Sequence, residues 1–199
     1  MEVFSYIYIG DILLIGIIDS GKGALAIAKK IINENHQYII LLDEEYFPFG
    51  EKSKIFLLKR SYYLVDYLIK RGVSKVILAC NTLSVIALPF LKSCFDIEII
   101  GVFDFLIPHL TSNNVFIGSY HTCKYVERNY DIKCLYGNEF IEAIEKNKDY
   151  LKVLDNLKKE YQNYDNLVLG CTHFLAIKEE DYRINTINQI KLLKDFLEK

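Results

Sequence analysis

Two stretches, VILACNTL at 76–83 and LVLGCTHF at 167–174, decide the fold of this chain. Each begins with an apolar run of strand length that ends in Ala or Gly, and a cysteine and small polar residues come next. Such runs are typical of buried strands. Strands that are apolar throughout favour a parallel sheet with helices on both faces.

The same alternation of short apolar runs and longer amphipathic segments continues along the chain, which predicts an α/β fold. Segments 13–30 and 114–129 share one pattern of apolar strand, glycine, small polar loop and helix. This repeat predicts two pseudo-symmetric lobes, 1–100 and 101–185, each a mostly parallel sheet flanked by helices, with the active site in the cleft between them. A terminal helix is expected at 186–199, and the sequence leaves open whether it packs back on the first lobe.

Composition and charge narrow the classes of protein. The chain has 199 residues, of which 51% are hydrophobic and 25% charged, and its formal net charge is -2. These values are ordinary for a globular protein with a real core, and we expect no nucleic-acid surface. The apolar N-terminal segment contains Glu2, Asp11 and Asp19 and no basic residue. An extension followed by a buried strand therefore fits it better than a signal peptide or membrane span, and the expected location is the cytoplasm.

The chain has five cysteines and no C-x-x-C motif, which argues against a disulfide framework. A single cysteine after a strand is more often a small core residue than a reactive group. The matching neighbours of Cys80 and Cys171 favour a function for this pair. The other three, Cys94, Cys123 and Cys134, are predicted to be structural.

Polar loops come directly after four of the predicted strands, where an open α/β sheet binds its ligands. These loops are Asp19–Gly21, Cys80–Thr82, Ser119–Thr122 and Cys171–His173. In two facing lobes the two thiols would flank one cleft from opposite sides. A racemase needs this arrangement, because one thiolate removes a proton from one face of a stereocentre and the other thiol delivers one to the opposite face. Each cysteine also precedes a predicted helix start, which is expected to lower its pKa and to offer N–H groups to a carboxylate.

At these residues the chain resembles the glutamate racemases of the cofactor-independent Asp/Glu racemase superfamily. The resemblance covers most of the chain, from Ile15 to Phe174, and its motifs run in family order. They are IGIIDSGKGALA, DEEYFPFG, VILACNTLS, IIGV, IGSYHT, CLYGNEFIEAIE and LVLGCTHF.

The resemblance implies a role for particular residues. Cys80 and Cys171 would be the two acid/base thiols, with Asp19 assisting Cys80 and His173 assisting Cys171. Glu142 is implied to work with that histidine. The residues implied to hold the amino and carboxylate groups of the substrate are Ser20, Pro48, Phe49, Gly50, Asn81, Thr82, Thr122 and Thr172.

The resemblance also implies interconversion of L- and D-glutamate without pyridoxal phosphate or a metal ion, with D-glutamate feeding peptidoglycan synthesis. The expected partner is a small amino acid, and dimers, which are common in the family, make a homodimer an expectation. Two alternatives stay open: a racemase for aspartate or another small acid, and a trimmed homologue that binds without turnover. A thiol redox protein is disfavoured because the cysteines lie far apart. The short segment after His173 predicts a thinly covered face on the second sheet.

Overall fold

The computed structural model describes residues 13–32, 36–190, 193 and 197. In this part of the chain the strands form two four-stranded parallel sheets, with orders β2-β1-β3-β4 and β6-β5-β7-β8. The second order repeats the first with every strand moved on by four, so the predicted α/β fold of two similar lobes is confirmed. The expected N-terminal extension lies outside the described residues.

The first lobe alternates strands and helices. Its elements are β1 (Leu14–Asp19), α1 (Gly23–Ile31), β2 (Gln37–Leu42), α2 (Lys54–Ile69), β3 (Lys75–Leu78), α3 (Asn81–Cys94) and β4 (Glu98–Gly101). Helix α2 begins where the Ser53 hydroxyl accepts a hydrogen bond from the Phe56 N–H at 3.2 Å. The chain turns after this helix at Gly72, whose φ of 84° is a conformation that glycine adopts readily.

The second lobe has the same alternation of strands and helices, but most of its elements are shorter. Its elements are β5 (Asn114–Gly118), α4 (Tyr120–Asn129), β6 (Lys133–Tyr136), α5 (Asn138–Glu145), α6 (Tyr150–Tyr161), β7 (Asn166–Gly170), α7 (Glu179–Tyr182) and β8 (Asn185–Ile187). Between the lobes, the 3₁₀ segment Val102–His109 contacts both α3 and β7. Because this segment contacts both lobes, the lobe boundaries 1–100 and 101–185 stay a prediction.

The second sheet is covered on both faces, so the expectation of a thinly covered face is wrong. Alternate side chains of β7 point into two different core clusters: Leu167 and Leu169 into one, and Val168 into the other. All three are at most 2% exposed. The buried rings of Phe174 and Tyr182 fill the first cluster, because the short segment after His173 folds down onto it.

Two further observations concern the end of the chain and membranes. Thr186 and Ile187, expected to begin the terminal helix, lie in β8, because they pair with β7 in parallel register. Beyond them, Leu193 and Leu197 are buried in the core cluster that contains Ile15 of β1. Among the described residues, no helix has both the length and the apolar character to cross a bilayer.

Candidate active site

The carboxyl ends of strands from both sheets meet at one cleft, as parallel α/β sheets predict. The cleft encloses a cavity of about 30 Å³. The predicted residues that line it are Asp19, Ser20, Pro48, Phe49, Gly50, Cys80, Asn81, Thr82, Cys171, Thr172 and His173. The two lobes therefore bring both thiols to one space. Thr122 and Glu142 are predicted site residues that do not line this cavity.

Cys80 lies at the start of helix α3, where its backbone forms the N-cap. The residue is only 7% exposed. Burial raises the pKa of the Cys80 thiol well above its ordinary value, and the charge of Asp19 adds to the rise, although N–H groups of the helix start oppose it. The expected lowering of this pKa by the helix N-terminus is therefore wrong, since desolvation outweighs the helix. A thiol in this setting is protonated and can act as an acid.

Cys171 lies in a different environment, at the head of a chain of polar contacts. Its Sγ is 3.5 Å from Nδ1 of His173. The opposite ring nitrogen, Nε2, lies 2.8 Å from Oε2 of Glu145. Burial disfavours the imidazolium, but Cys171 and Glu145 together raise the pKa of His173 to about 10. At neutral pH the histidine is therefore a cation, and its Nδ1 lies beside the sulfur of Cys171.

Glu145, and not Glu142, is the carboxylate that contacts His173. Burial works to raise the pKa of Glu145, but the hydrogen bond with His173 and its charge lower it overall. Glu142 is 44% exposed and pairs with Lys146 at 2.7 Å and with Lys148 at 3.3 Å. The sequence prediction of Glu142 as the partner of His173 is thus corrected, because the last residue of α5 faces the cleft and the residue one turn earlier faces solvent.

Asp19 connects the two lobes at the floor of the cleft. Its Oδ1 accepts a hydrogen bond from the Ser20 N–H at 2.7 Å, and its Oδ2 accepts one from the Thr172 hydroxyl at 2.8 Å. Burial raises the pKa of Asp19, while the His173 charge and these hydrogen bonds limit the rise. Gly23 makes this approach possible, since a Cβ there would lie 2.7 Å from Asp19 Oδ2 and would collide with Thr172 Oγ1.

Polar groups for a ligand come from both lobes. The Asn81 side chain is 3% exposed, and both its amide atoms are buried without a hydrogen-bond partner among the described residues. Thr82 Oγ1 lies 2.8 Å from Ser119 Oγ, across the cleft. Thr122 is fully buried behind Ser119, and its hydroxyl donates to the Ser119 carbonyl at 2.9 Å. Thr122 therefore supports the wall, and Ser119 presents its hydroxyl to the cavity.

Sequence reasoning missed several groups at the cavity. They are Phe47, Ser119, Asn138, Ile141 and Gly170 in the lining, with Glu145 behind His173. Ser119 lies in one of the four polar loops, and the others lie in the motifs DEEYFPFG, CLYGNEFIEAIE and LVLGCTHF, but these patterns do not show which side chains reach the cavity. Four residues before Phe47, the buried Asp43 accepts hydrogen bonds on both carboxylate oxygens from Arg60 of α2, at 2.8 and 2.7 Å.

The residues at the cavity suit proton transfer on a small polar molecule. Two thiols in unlike electrostatic settings, an imidazole with a carboxylate behind it and a buried aspartate are acid/base groups. In the described part of the chain, no group of three His, Cys, Asp or Glu side chains is arranged to hold a metal ion.

Two of the known proteins that this chain resembles in sequence are glutamate racemases. No protein-family profile matches the chain. The glutamate racemase of Buchnera aphidicola subsp. Schizaphis graminum is 35% identical over 192 aligned positions, which cover 84% of this chain and 75% of the relative. The glutamate racemase of Fusobacterium nucleatum is 31% identical, and the match covers 83% of this chain and 71% of that relative.

Solved structures agree with these relatives. Escherichia coli glutamate racemase, solved with L-glutamate and the activator UDP-MurNAc-ala, has a TM-score of 0.79 and 25% identity, and the match covers 94% of this chain and 82% of that one. The aspartate racemase of Picrophilus torridus has a TM-score of 0.68 and 18% identity, with 93% and 92% covered. The second likeness concerns the fold alone.

Proposed function

Because this chain belongs to the glutamate racemase family, and so to the amino-acid racemases among the isomerases, we propose that it interconverts L- and D-glutamate without a cofactor, by proton transfer between two thiols. The observation that carries the proposal is the placement of Cys80 and Cys171 at one cavity, one from each lobe. Each thiol serves one face of the α-carbon.

In one direction Cys171 is the base. Its thiolate, beside the His173 cation, takes the α-proton, and the electron pair of the broken C–H bond stays on the α-carbon. The Cys80 thiol then gives its proton to the opposite face, and its new thiolate lies near Asp19. The pKa of Asp19 is raised by burial, so this carboxyl is suited to take part in returning a proton to Cys80. In the reverse direction the two thiols exchange roles.

Polar groups around the thiols would hold the amino acid. The unpaired Asn81 amide, the hydroxyls of Thr82 and Ser119 and the N–H groups at the start of α3 can receive carboxylates. A cavity of about 30 Å³ holds only a few water molecules at most. Glutamate is larger, so the lobes must separate to admit it and close again around it.

Glutamate is proposed over aspartate because the two relatives described above, at 35% and 31% identity, are glutamate racemases. We propose that the D-glutamate product is used in peptidoglycan synthesis. The proposed location is the cytoplasm, and the proposed assembly is a homodimer. An aspartate racemase and a non-catalytic binding homologue are the alternatives. Retention of both cysteines favours an enzyme over the latter.

The test uses purified protein and single enantiomers. L- and D-glutamate, and L- and D-aspartate, are incubated without added cofactor or metal, and the circular dichroism of the solution is monitored. We expect the signal of either glutamate enantiomer to decay to zero, with aspartate far slower. Faster loss of the aspartate signal would support the first alternative. No loss with any substrate would support the second.

A further inference from the structure

Lys22 of the first lobe reaches across the cleft to the second. It is the residue before α1, and its ammonium Nζ donates to the main-chain carbonyl of Glu145 at 2.9 Å. Its own main-chain N–H donates to Oε2 of Glu145 at 3.2 Å. Glu145 ends helix α5, and the carbonyls at a helix C-terminus favour a cation. Two bonds from one residue thus hold both the backbone and the carboxylate of Glu145.

The carboxylate oxygen that Lys22 holds is the one that contacts His173. Oε2 of Glu145 lies 2.8 Å from His173 Nε2, and His173 Nδ1 lies 3.5 Å from Cys171 Sγ. A continuous chain of contacts therefore runs from Lys22 to the sulfur of Cys171. A residue that fixes Oε2 also fixes the orientation of the imidazole beside that sulfur.

This clasp depends on the closed arrangement of the lobes. Lys22 belongs to the lobe of the first sheet and Glu145 to the lobe of the second, and no strand joins the two sheets within the described residues. The closed cavity of about 30 Å³ is too small for an amino acid, so the lobes must separate during turnover. Separation takes Lys22 away from Glu145, while Glu145 and His173 remain together on the second lobe.

We propose that Lys22 is a positioning residue for the racemase reaction: on closure it clamps Glu145 against His173 and so prepares Cys171 for proton transfer. The inference rests on the proposed function, which it deepens. Glutamate racemisation would then depend on a lysine that touches neither substrate nor thiol.

The groups facing His173 give the sign of the expected effect. They are Asp19 from the end of β1, Glu145 from α5 and Cys171 beside it. Lys148 lies further out, paired with Glu142. Lys22 is exposed, so water screens its direct effect on the imidazole, and it acts through Glu145. Lys22→Met removes the Nζ bond to the Glu145 carbonyl but keeps the main-chain N–H that contacts Oε2. Without the Nζ bond the end of α5 should shift, which should weaken the Glu145–His173 bond and lower the pKa of His173 from about 10.

The experiment titrates His173 by NMR in full-length protein labelled at its histidine rings, with His173→Asn used to assign the signal among the four histidines. Lys22→Met should lower the midpoint of His173, and Lys22→Arg should restore it. Lys29→Met, at an exposed lysine on the last turn of the same helix, is the matched control and should leave it unchanged. Lys22→Met made in a Glu145→Gln background should shift the His173 midpoint no further, because the Glu145 carboxylate through which Lys22 acts is absent.

Kinetics supply a second readout. Lys22→Met should lower kcat about two- to fivefold with little change in KM. An unchanged or raised His173 midpoint in Lys22→Met, or an equal shift in both backgrounds, overturns the inference. The titration needs no turnover, so a protein that racemises nothing would sink the proposed function while the clamp is still judged by the His173 signal.

Discussion

Cys80 and Cys171 differ in the groups that surround each sulfur. The first is buried at the start of α3 near Asp19, and burial raises its pKa. The second lies 3.5 Å from a histidine whose pKa is raised to about 10. The Cys80 thiol is therefore held protonated, whereas the Cys171 sulfur has a cationic imidazole beside it. In the proposed mechanism this asymmetry would let Cys80 begin one direction of the reaction as the acid and Cys171 as the base.

Replacing either thiol should abolish racemisation. In Cys80→Ser and Cys171→Ser a hydroxyl, which is a far weaker acid, stands where a thiol must exchange protons. We expect both variants to lose essentially all conversion of L- and D-glutamate, measured by circular dichroism. Cys94→Ser changes an exposed cysteine and should leave the rate intact. A Cys80→Ser or Cys171→Ser protein racemising near the wild-type rate would remove that cysteine from the mechanism.

Two glutamates of α5, Glu142 and Glu145, form a matched pair for mutation. Glu145→Gln removes the charge that contacts His173 and should lower kcat at least about tenfold, the effect of losing one charge-assisted hydrogen bond. Glu142→Gln changes an exposed ion pair and should alter kcat less than about twofold. Steady-state kinetics on both variants decide which glutamate is the functional partner of His173. The opposite ranking would restore Glu142 as the functional residue.

His173 should also make stability depend on pH. Its pKa is about 10 in the folded protein, against an ordinary value of 6.5. A raised pKa contributes stability that is fully present below the unfolded value and is lost as pH rises through the folded one. Urea unfolding should show that the free energy of unfolding of the wild type falls between about pH 6 and about pH 9.5. The fall should be smaller for Glu145→Gln. Equal losses in the two proteins would show that Glu145 does not contribute to the raised pKa of His173.

For individual residues, the sequence predicted which residues form the site better than it predicted which of them contact each other. Cys80, Cys171, Asp19 and His173 lie at or just beyond the carboxyl ends of strands, and a parallel sheet brings such residues together at one edge. Glu145 was not predictable, because two glutamates one helical turn apart satisfy the same pattern. How α5 docks on its sheet decides which one reaches the cleft.

Among the elements, β3 and β7 are equivalent strands that carry the two cysteine loops. Val76, Ile77 and Leu78 of β3 are fully buried, and the middle of β7 is at most 2% exposed. Hydrogen exchange should therefore show similar, strong protection for the amides of both strands, unchanged with protein concentration. Faster exchange in β7 that slows at high concentration would mean that a partner subunit stabilises the second lobe.

The order of strands and helices was predictable because apolar runs and amphipathic segments have different periods. The covering of the second sheet was not. It depends on rings such as Phe140 and Phe174, stacked with centroids 5.0 Å apart, whose packing against one sheet face leaves no periodic signal. The start of the terminal helix was also misplaced, because Thr186 and Ile187 are strand residues that pair with β7.

At the scale of the whole molecule, hydrogen bonds from several elements join the lobes across the cleft. Thr172 bonds to Asp19, Thr82 lies 2.8 Å from Ser119, and His121 Nε2 lies 2.7 Å from the Lys52 carbonyl. These contacts close the cleft around a space smaller than the substrate. The proposed function therefore requires the lobes to open and close around glutamate, with both thiols at the same cavity in the closed state.

The most direct test of the two-thiol proposal is racemisation of L-glutamate in deuterated water, read by mass spectrometry of each separated enantiomer at low conversion. Both thiols exchange their protons with solvent, so the thiol that completes the reaction delivers deuterium. The two-thiol mechanism predicts D-glutamate carrying one deuterium at the α-carbon, while the remaining L-glutamate still carries protium. D-glutamate formed with its original protium would contradict proton transfer between two opposed thiols.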